Sequence, residues 1–243
     1  MPINYQANPV QWSNARQQTV AGAMGRITRM LTGASLSASA VTRDAQADAL
    51  YQQHFVDPGH VQLGAVQQVI QRMLARVTTG TLNFHYVPTL AAFQGLGVGA
   101  LPAGVVIGNV EAFVIQRGIG AGVALSCYFA PAFFTGNVHV AANPNVRTGT
   151  GTFLHEMSHG DGNTQDHAYT WQAGYGALTA AQRADNADSY RAYCQTFDVI
   201  NAAVVNAPPP AAPAAPVPCP QAGCNLQFRT NVLLQAHRVQ TGH

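Results

Sequence analysis

His155 and His159 stand four residues apart in the run His155-Glu156-Met157-Ser158-His159. No other feature limits the fold as much, because this spacing is useful only on a helix. There the i and i+4 imidazoles share one face and can grip one metal ion. The carboxylate one residue along can then serve a zinc-bound water as general base. Glu111 and Glu156 are the only Glu residues in the chain, so composition alone does not supply this coincidence. The spacing predicts a helix from near Thr150 to Gly160, where glycine is expected to supply a left-handed cap.

Two histidines need a third protein ligand. The position ten after His155 is Gln165, not the His that a metzincin requires. No Glu follows the motif, which removes a thermolysin-type ligand. Asp161, Asp166, Asp185, Asp188, Asp198 and His167 remain. Asp161 is two residues past His159 and would need a very tight return. Asp166 follows a Gly-containing loop, residues 160–165, that can fold back under the helix end. It is the best placed of the set, with adjacent His167 as the alternative.

A Pro/Ala tether at 207–218 divides a body, residues 1–206, from a short tail at 219–243. In the body, Arg43 to Phe55 and Leu63 to Val77 have helical spacing, the second with Val66, Val69, Ile70, Met73, Leu74 and Val77 on one face. Thr81 to Val87 alternates as a strand should, with Leu82, Phe84 and Tyr86 facing the core. Val105 to Val114, Val123 to Phe129 and Asn137 to Ala141 are further predicted strands, and Ala180 to Ala203 is expected as one long helix. The fold class that follows is α+β.

These residues carry a resemblance to a known family. His155-Glu156-x-x-His159 is followed by Thr164-Gln165-Asp166-His167-Ala168-Tyr169 and then by Asn186-Ala187-Asp188-Ser189-Tyr190. The three together resemble the aspzincin (deuterolysin-type) metallopeptidases, and Cys127-Tyr128-Phe129 with Phe133-Phe134 is similar to the stretch ahead of that family's metal helix. Asn163 and Thr170 depart from it, standing where the second motif has Gly. The resemblance implies a zincin-like domain acting on protein or peptide substrates, with zinc held by His155, His159 and Asp166. It further implies that Glu156 takes a proton from water and passes it to the leaving amine, and that Tyr169 donates its hydroxyl to the oxyanion. One branch of the family cuts before Lys, and Asp188 matches its principal acidic position, where a carboxylate favours a cation. Arg191 stands where a second acid assists in that branch. The absence of Lys from the chain fits such an enzyme, as it fits an Arg- and Ala-rich composition.

The tail resembles a two-Cys, two-His zinc finger, with Cys219, Cys224, His237 and His243 as ligands and Phe228 and Leu234 as its apolar core. A piece this short needs such a staple, so a ββα finger and a second, structural zinc are expected, two zinc ions per chain in all. Its base-reading positions would be Thr230, Leu233 and Ala236, none of which offers a bidentate donor. DNA is therefore not the expected partner; a protein docking on Val232, Leu233 and Ala236 is.

Charged residues make up 9% of the chain and the formal net charge is +2, all of the positive charge being Arg. That is far below the usual quarter and leaves no basic surface for nucleic acid. The uncharged stretches 87–110 and 118–138 are too broken by Gly and Pro to span a membrane. The N-terminus lacks a Sec-type signal peptide, which makes cytoplasm, or export by another route as an effector, the expected location. Cys127 and Cys194 are expected as buried thiols. The rival reading is a non-catalytic zinc-binding interaction protein, or a nucleic-acid-binding one, in which the finger carries the function. Glu156 argues against it, because a protein that had lost catalysis would have no need of the base.

Overall fold

The computed structural model describes residues 3–7, 10–102, 105–119, 122–136, 138, 148–206, 217–218 and 227–228, with the backbone alone from 199 onward. Strand β1 (Ile3–Gln6) precedes three helices, α1 (Asn14–Ala40), α2 (Ala45–Phe55) and α3 (Leu63–Thr78). Then come β2 (Leu82–Tyr86), α4 (Leu90–Gln94), β3 (Ala112–Val114), β4 (Leu125–Phe129) and α5 (Ala132–Thr135). The last part holds α6 (Gly149–Gly162), a 3-10 turn at Ala173–Ala177, α7 (Ala180–Ala184) and α8 (Ala187–Asn206). Beyond the body, β5 (Val217–Pro218) and β6 (Gln227–Phe228) pair antiparallel. This is the mixed helix-and-sheet fold that the sequence leads one to expect. Cys219, Cys224, His237 and His243 lie outside the described residues.

The sheet has the order β1-β2-β4-β3, with β1, β2 and β4 parallel and β3 antiparallel at one edge. Period-two alternation splits its two faces. Leu82, Phe84 and Tyr86 of β2 and Leu125, Cys127 and Phe129 of β4 join the main core with α1, α3, α6 and α8. Tyr128 and Phe113 point the other way, into a smaller cluster with Val87, Phe93 and Ile107. Cys127 and Cys194 are both buried free thiols.

Helix α6 is the deepest element, because glycines thin its surface. A Cβ on Gly160 would lie 2.6 Å from Leu125 Cδ1 of the sheet, and one on Gly151 would lie 2.7 Å from Gln195 Oε1 of α8. Both distances are below those real Cβ contacts show, so a side chain at either position would have to displace Leu125 or Gln195. Behind it, buried Arg76 of α3 meets buried Asp161 through Arg76 NH2–Asp161 Oδ1 at 2.7 Å. Asp161 is thus turned away from the histidines and into the core.

Three expectations need correction, and one helix went unpredicted. Helix α6 runs past Gly160, and the left-handed cap is Asn163 at φ 58, since Gly160 is needed inside the helix against Leu125. The strand expected over Val105 to Val114 is confined to Ala112–Val114. The long helix expected over Ala180 to Ala203 is broken at Asp185–Asn186, because the Asn186 side chain and the backbone around it bind another segment. Helix α1 was not anticipated: its buried Val20, Met24, Ile27, Met30 and Leu31 are interleaved with Ala, and Ala, Gly, Ser and Thr recur on every side, so the faces barely contrast. Of the strand expected over Asn137 to Ala141, only residue 138 is described, as a bend.

Candidate metal centre and its cleft

Thr148 caps α6, its hydroxyl accepting from Gly151 N–H at 3.0 Å. From that start His155 and His159 fall one turn apart, both buried, with their Nε2 atoms 3.1 Å from each other. The third donor arrives from the loop after the helix, and a clamp delivers it. Gln165 N–H donates to Asp185 O at 2.7 Å and Ala187 N–H to Gln165 O at 2.9 Å. Asn186 Oδ1 accepts from His167 N–H at 3.0 Å and Ala168 N–H at 3.3 Å. Asp166 is the residue in the middle of this strap. Its Oδ1 lies 2.9 Å from His155 Nε2 and 3.3 Å from His159 Nε2.

Three donor atoms thus form a triangle with edges of 2.9, 3.1 and 3.3 Å. Ligands about 2.0–2.1 Å from a tetrahedral zinc stand about 3.3 Å apart, so the triangle is close to one face of that tetrahedron. Tautomers agree. His159 Nδ1 faces the Thr164 carbonyl at 2.7 Å, where it must carry the proton, leaving a lone pair on Nε2. His155 Nδ1 faces Asp188 Oδ1 at 3.6 Å. Two Nε2 atoms and a carboxylate oxygen converging at these distances require a cation or a proton among them. The donor set fits zinc. Donor atoms of His155, Glu156 and His159 also lie within 4.8 Å of one another, so Glu156 is at hand as a fourth group.

Electrostatics follow from the burial. Burial alone would lower the His155 imidazole, but the carboxylates of Asp166 and Asp188 outweigh it and push the pKa up to about 9. Burial would raise Asp166, yet hydrogen bonds with His155 and His159 hold it well below the usual carboxylate range. Glu156 moves the other way: burial raises it, only partly offset by the two histidines and by the N–H of Val114, which donates to Glu156 Oε2 at 3.1 Å. That bond ties the carboxylate to edge strand β3.

The centre opens into a cleft of about 360 Å³ whose lining includes Val105, Val110, Val114, Arg117, Tyr169, Trp171 and Arg191. Tyr169 stacks on His155 with ring centroids 5.6 Å apart. Asp188, expected to receive substrate, lies behind His155 and is 1% exposed. His167 is outside the site, paired at the surface with Asp185 at 3.0 Å. Sequence reasoning missed the Thr164 carbonyl and the Val114 N–H. A backbone group has no residue signature, although Thr164 belongs to the motif that carries Asp166. It also read Arg191 only as standing where one branch of the family has a second acid, whereas its i+3 spacing from Asp188 on a helix signals a pair.

Residues 122–195 match the family model described as Lysine-specific metallo-endopeptidase, the aspzincins. No curated protein matches the chain. Among solved structures, a zinc peptidase from Grifola frondosa has a similar fold, with a TM-score of 0.55 and 19% identity, covering 77% of this chain and 98% of that one. Family model, shared fold and donor cluster together support a zinc metalloendopeptidase. No helix among the described residues is long and apolar enough to cross a membrane.

Proposed function

We propose that the chain hydrolyses peptide bonds of protein substrates at a zinc ion held by His155, His159 and Asp166. The observation that carries this is the convergence of their three donor atoms in an open cleft, with the Glu156 carboxylate beside them. A zinc ion there would acidify water and polarise a carbonyl. Glu156 takes the proton of the attacking water and returns it to the leaving amine, a task suited to a carboxylate raised above its ordinary value. Tyr169 donates to the developing oxyanion, a role supported by its ring lying against His155. Asp188 and Thr164 hold the two imidazoles from behind. Because Val114 N–H points to Glu156 and not to β4, the outer edge of β3 faces the cleft, and an extended substrate can pair with it there.

The domain plan in the same proposal is a peptidase body over 1–206, a tether over 207–218 and a zinc finger over 219–243 that recruits a protein partner. The finger would hold the second zinc with Cys219, Cys224, His237 and His243. Supporting it is the antiparallel pairing of Val217–Pro218 with Gln227–Phe228, which brackets the two Cys in sequence. A preference for Lys depends on a free carboxylate at Asp188, and the surroundings of that residue point elsewhere. The test is hydrolysis of an unfolded protein substrate that disappears with a zinc chelator and returns with added zinc. A zinc-loaded protein that cuts no peptide bond would refute the proposal.

A further inference from the structure

Three carboxylates line the cleft: Glu156, Asp166 and Asp188. The first two face the metal centre, so Asp188 is the one that could receive a substrate cation. A carboxylate has about four acceptor positions. Oδ1 of Asp188 takes Arg191 Nε at 2.5 Å and faces His155 Nδ1 at 3.6 Å. Oδ2 takes Arg191 NH2 at 2.9 Å and Thr170 N–H at 2.6 Å. Three positions are filled by hydrogen bonds and the fourth faces the His155 ring, and the bonding groups are themselves held. Arg191 also donates to Thr170 Oγ1 at 2.6 Å and to Gln195 Oε1, and Gln195 Nε2 donates to Thr148 Oγ1, the cap of α6, at 3.3 Å. Asp188 and Arg191 are each 1% exposed. The floor of the cleft is therefore a fixed, electrically neutral pair with a guanidinium in it, not an acidic pocket.

Asn109, Arg117 and Thr152 add further polar groups to the lining, and beside them the cleft has an apolar part. Trp171 stacks on Tyr169 at 4.8 Å and 11°, extending a column of rings outward from His155. The Arg191 guanidinium lies 5.6 Å from the Trp171 ring, yet Trp171 is still 49% exposed, unusual for so large an apolar residue. Pro102, Val105 and Val110 also line the cleft. We infer that this cleft selects a large uncharged side chain laid against Trp171 and discriminates against Lys, Arg191 having closed the acidic pocket that Asp188 would otherwise form. Asp188 is then a positioning residue for His155, and Trp171 and Arg191 determine specificity. The inference rests on the proposed peptidase activity.

The experiment maps cleavage sites in a denatured proteome digested by the zinc-loaded full-length protein. The wild type should show large apolar residues enriched next to the scissile bond and no enrichment of Lys on either side. Trp171→Ala, a change at an exposed residue, should cut those apolar sites about tenfold less efficiently and leave other sites less affected. Arg191→Gln keeps one donor to Asp188 but frees an acceptor and a negative charge, and should raise cutting before Lys about tenfold. If that variant does not fold, the wild-type and Trp171→Ala profiles still decide. Lys-directed cutting by the wild type, or a profile that Trp171→Ala leaves unchanged, would overturn the inference while the peptidase reading stands. No cutting at all by the zinc-loaded wild type would instead defeat the peptidase reading.

Discussion

Zinc binding should compete with a proton on His155, and the size of the competition can be worked out. In the metal-free protein, Asp166 and Asp188 hold a proton on this ring up to about pH 9. A metal needs the neutral ring, so binding below that pH expels the proton. Each pH unit below the pKa costs a factor of about ten, about 1.4 kcal/mol, in affinity. The loss should therefore reach about 100-fold by pH 7 and about 1000-fold by pH 6. Competition against a chelator of known affinity from pH 6 to 9 measures the slope, and calorimetry in two buffers counts the proton. Asp188→Asn removes one of the two carboxylates. It should move the break to lower pH and weaken binding above the break by about 10–100-fold, as losing the partner of a ligating His does. Without metal the sign reverses for stability. The raised pKa contributes fully below the unfolded value of about 6.5 and is lost as pH rises through the folded one. Metal-free protein should accordingly lose Tm above neutral pH, and zinc-loaded protein should not. Affinity that stays flat between pH 9 and pH 7, or superimposable curves for wild type and Asp188→Asn, would refute this reasoning.

Other perturbations test separate parts of the account. Asp166→Ala should lose the cleft zinc selectively, read as a fall of one in metal content, because two imidazoles bind far more weakly than three ligands; if His167→Ala loses it instead, the ligand assignment fails. Arg76→Ala strands the buried Asp161 carboxylate behind the metal helix and should destabilise the body by about 3–5 kcal/mol in denaturant titration, whereas a loss below about 1 kcal/mol would mean that water reaches the pair. A chain ending at Asn206 should bind one zinc where the full chain binds two, and should hydrolyse short peptides at nearly the same rate; loss of that turnover would make the tail part of the active site.

Much of the body was readable because its elements carry strong periodicity. Leu82, Phe84 and Tyr86 alternate and are buried as a strand on a core must be, and the Val66-to-Val77 stripe faces inward along α3. Helix α1 was hidden because Ala, Gly, Ser and Thr dominate it, and tertiary packing, not a contrast between faces, keeps it helical. The break before α8 was hidden because Asn186 is a competent helix residue in isolation; it leaves the helix to hold the strap that carries Asp166. In the site, the i, i+4 spacing of His155 and His159 is local and was legible, and the structure brings Asp166 to them. Asp188 was legible as an acidic residue at a telling place, but not as a carboxylate already filled. Its state depends on Thr170 and His155, far away in the chain, as well as on Arg191.

The central claim is that Glu156 works beside a zinc it does not hold. Zinc content and peptide hydrolysis measured on the same preparations of wild type and Glu156→Gln test it most directly. The account predicts equal zinc and an unchanged fold in the variant, with hydrolysis lower by about 10²-fold or more, the loss expected for a missing general base. Wild-type turnover in the zinc-loaded variant would contradict it, and so would loss of the cleft zinc along with the activity, which would make Glu156 a ligand.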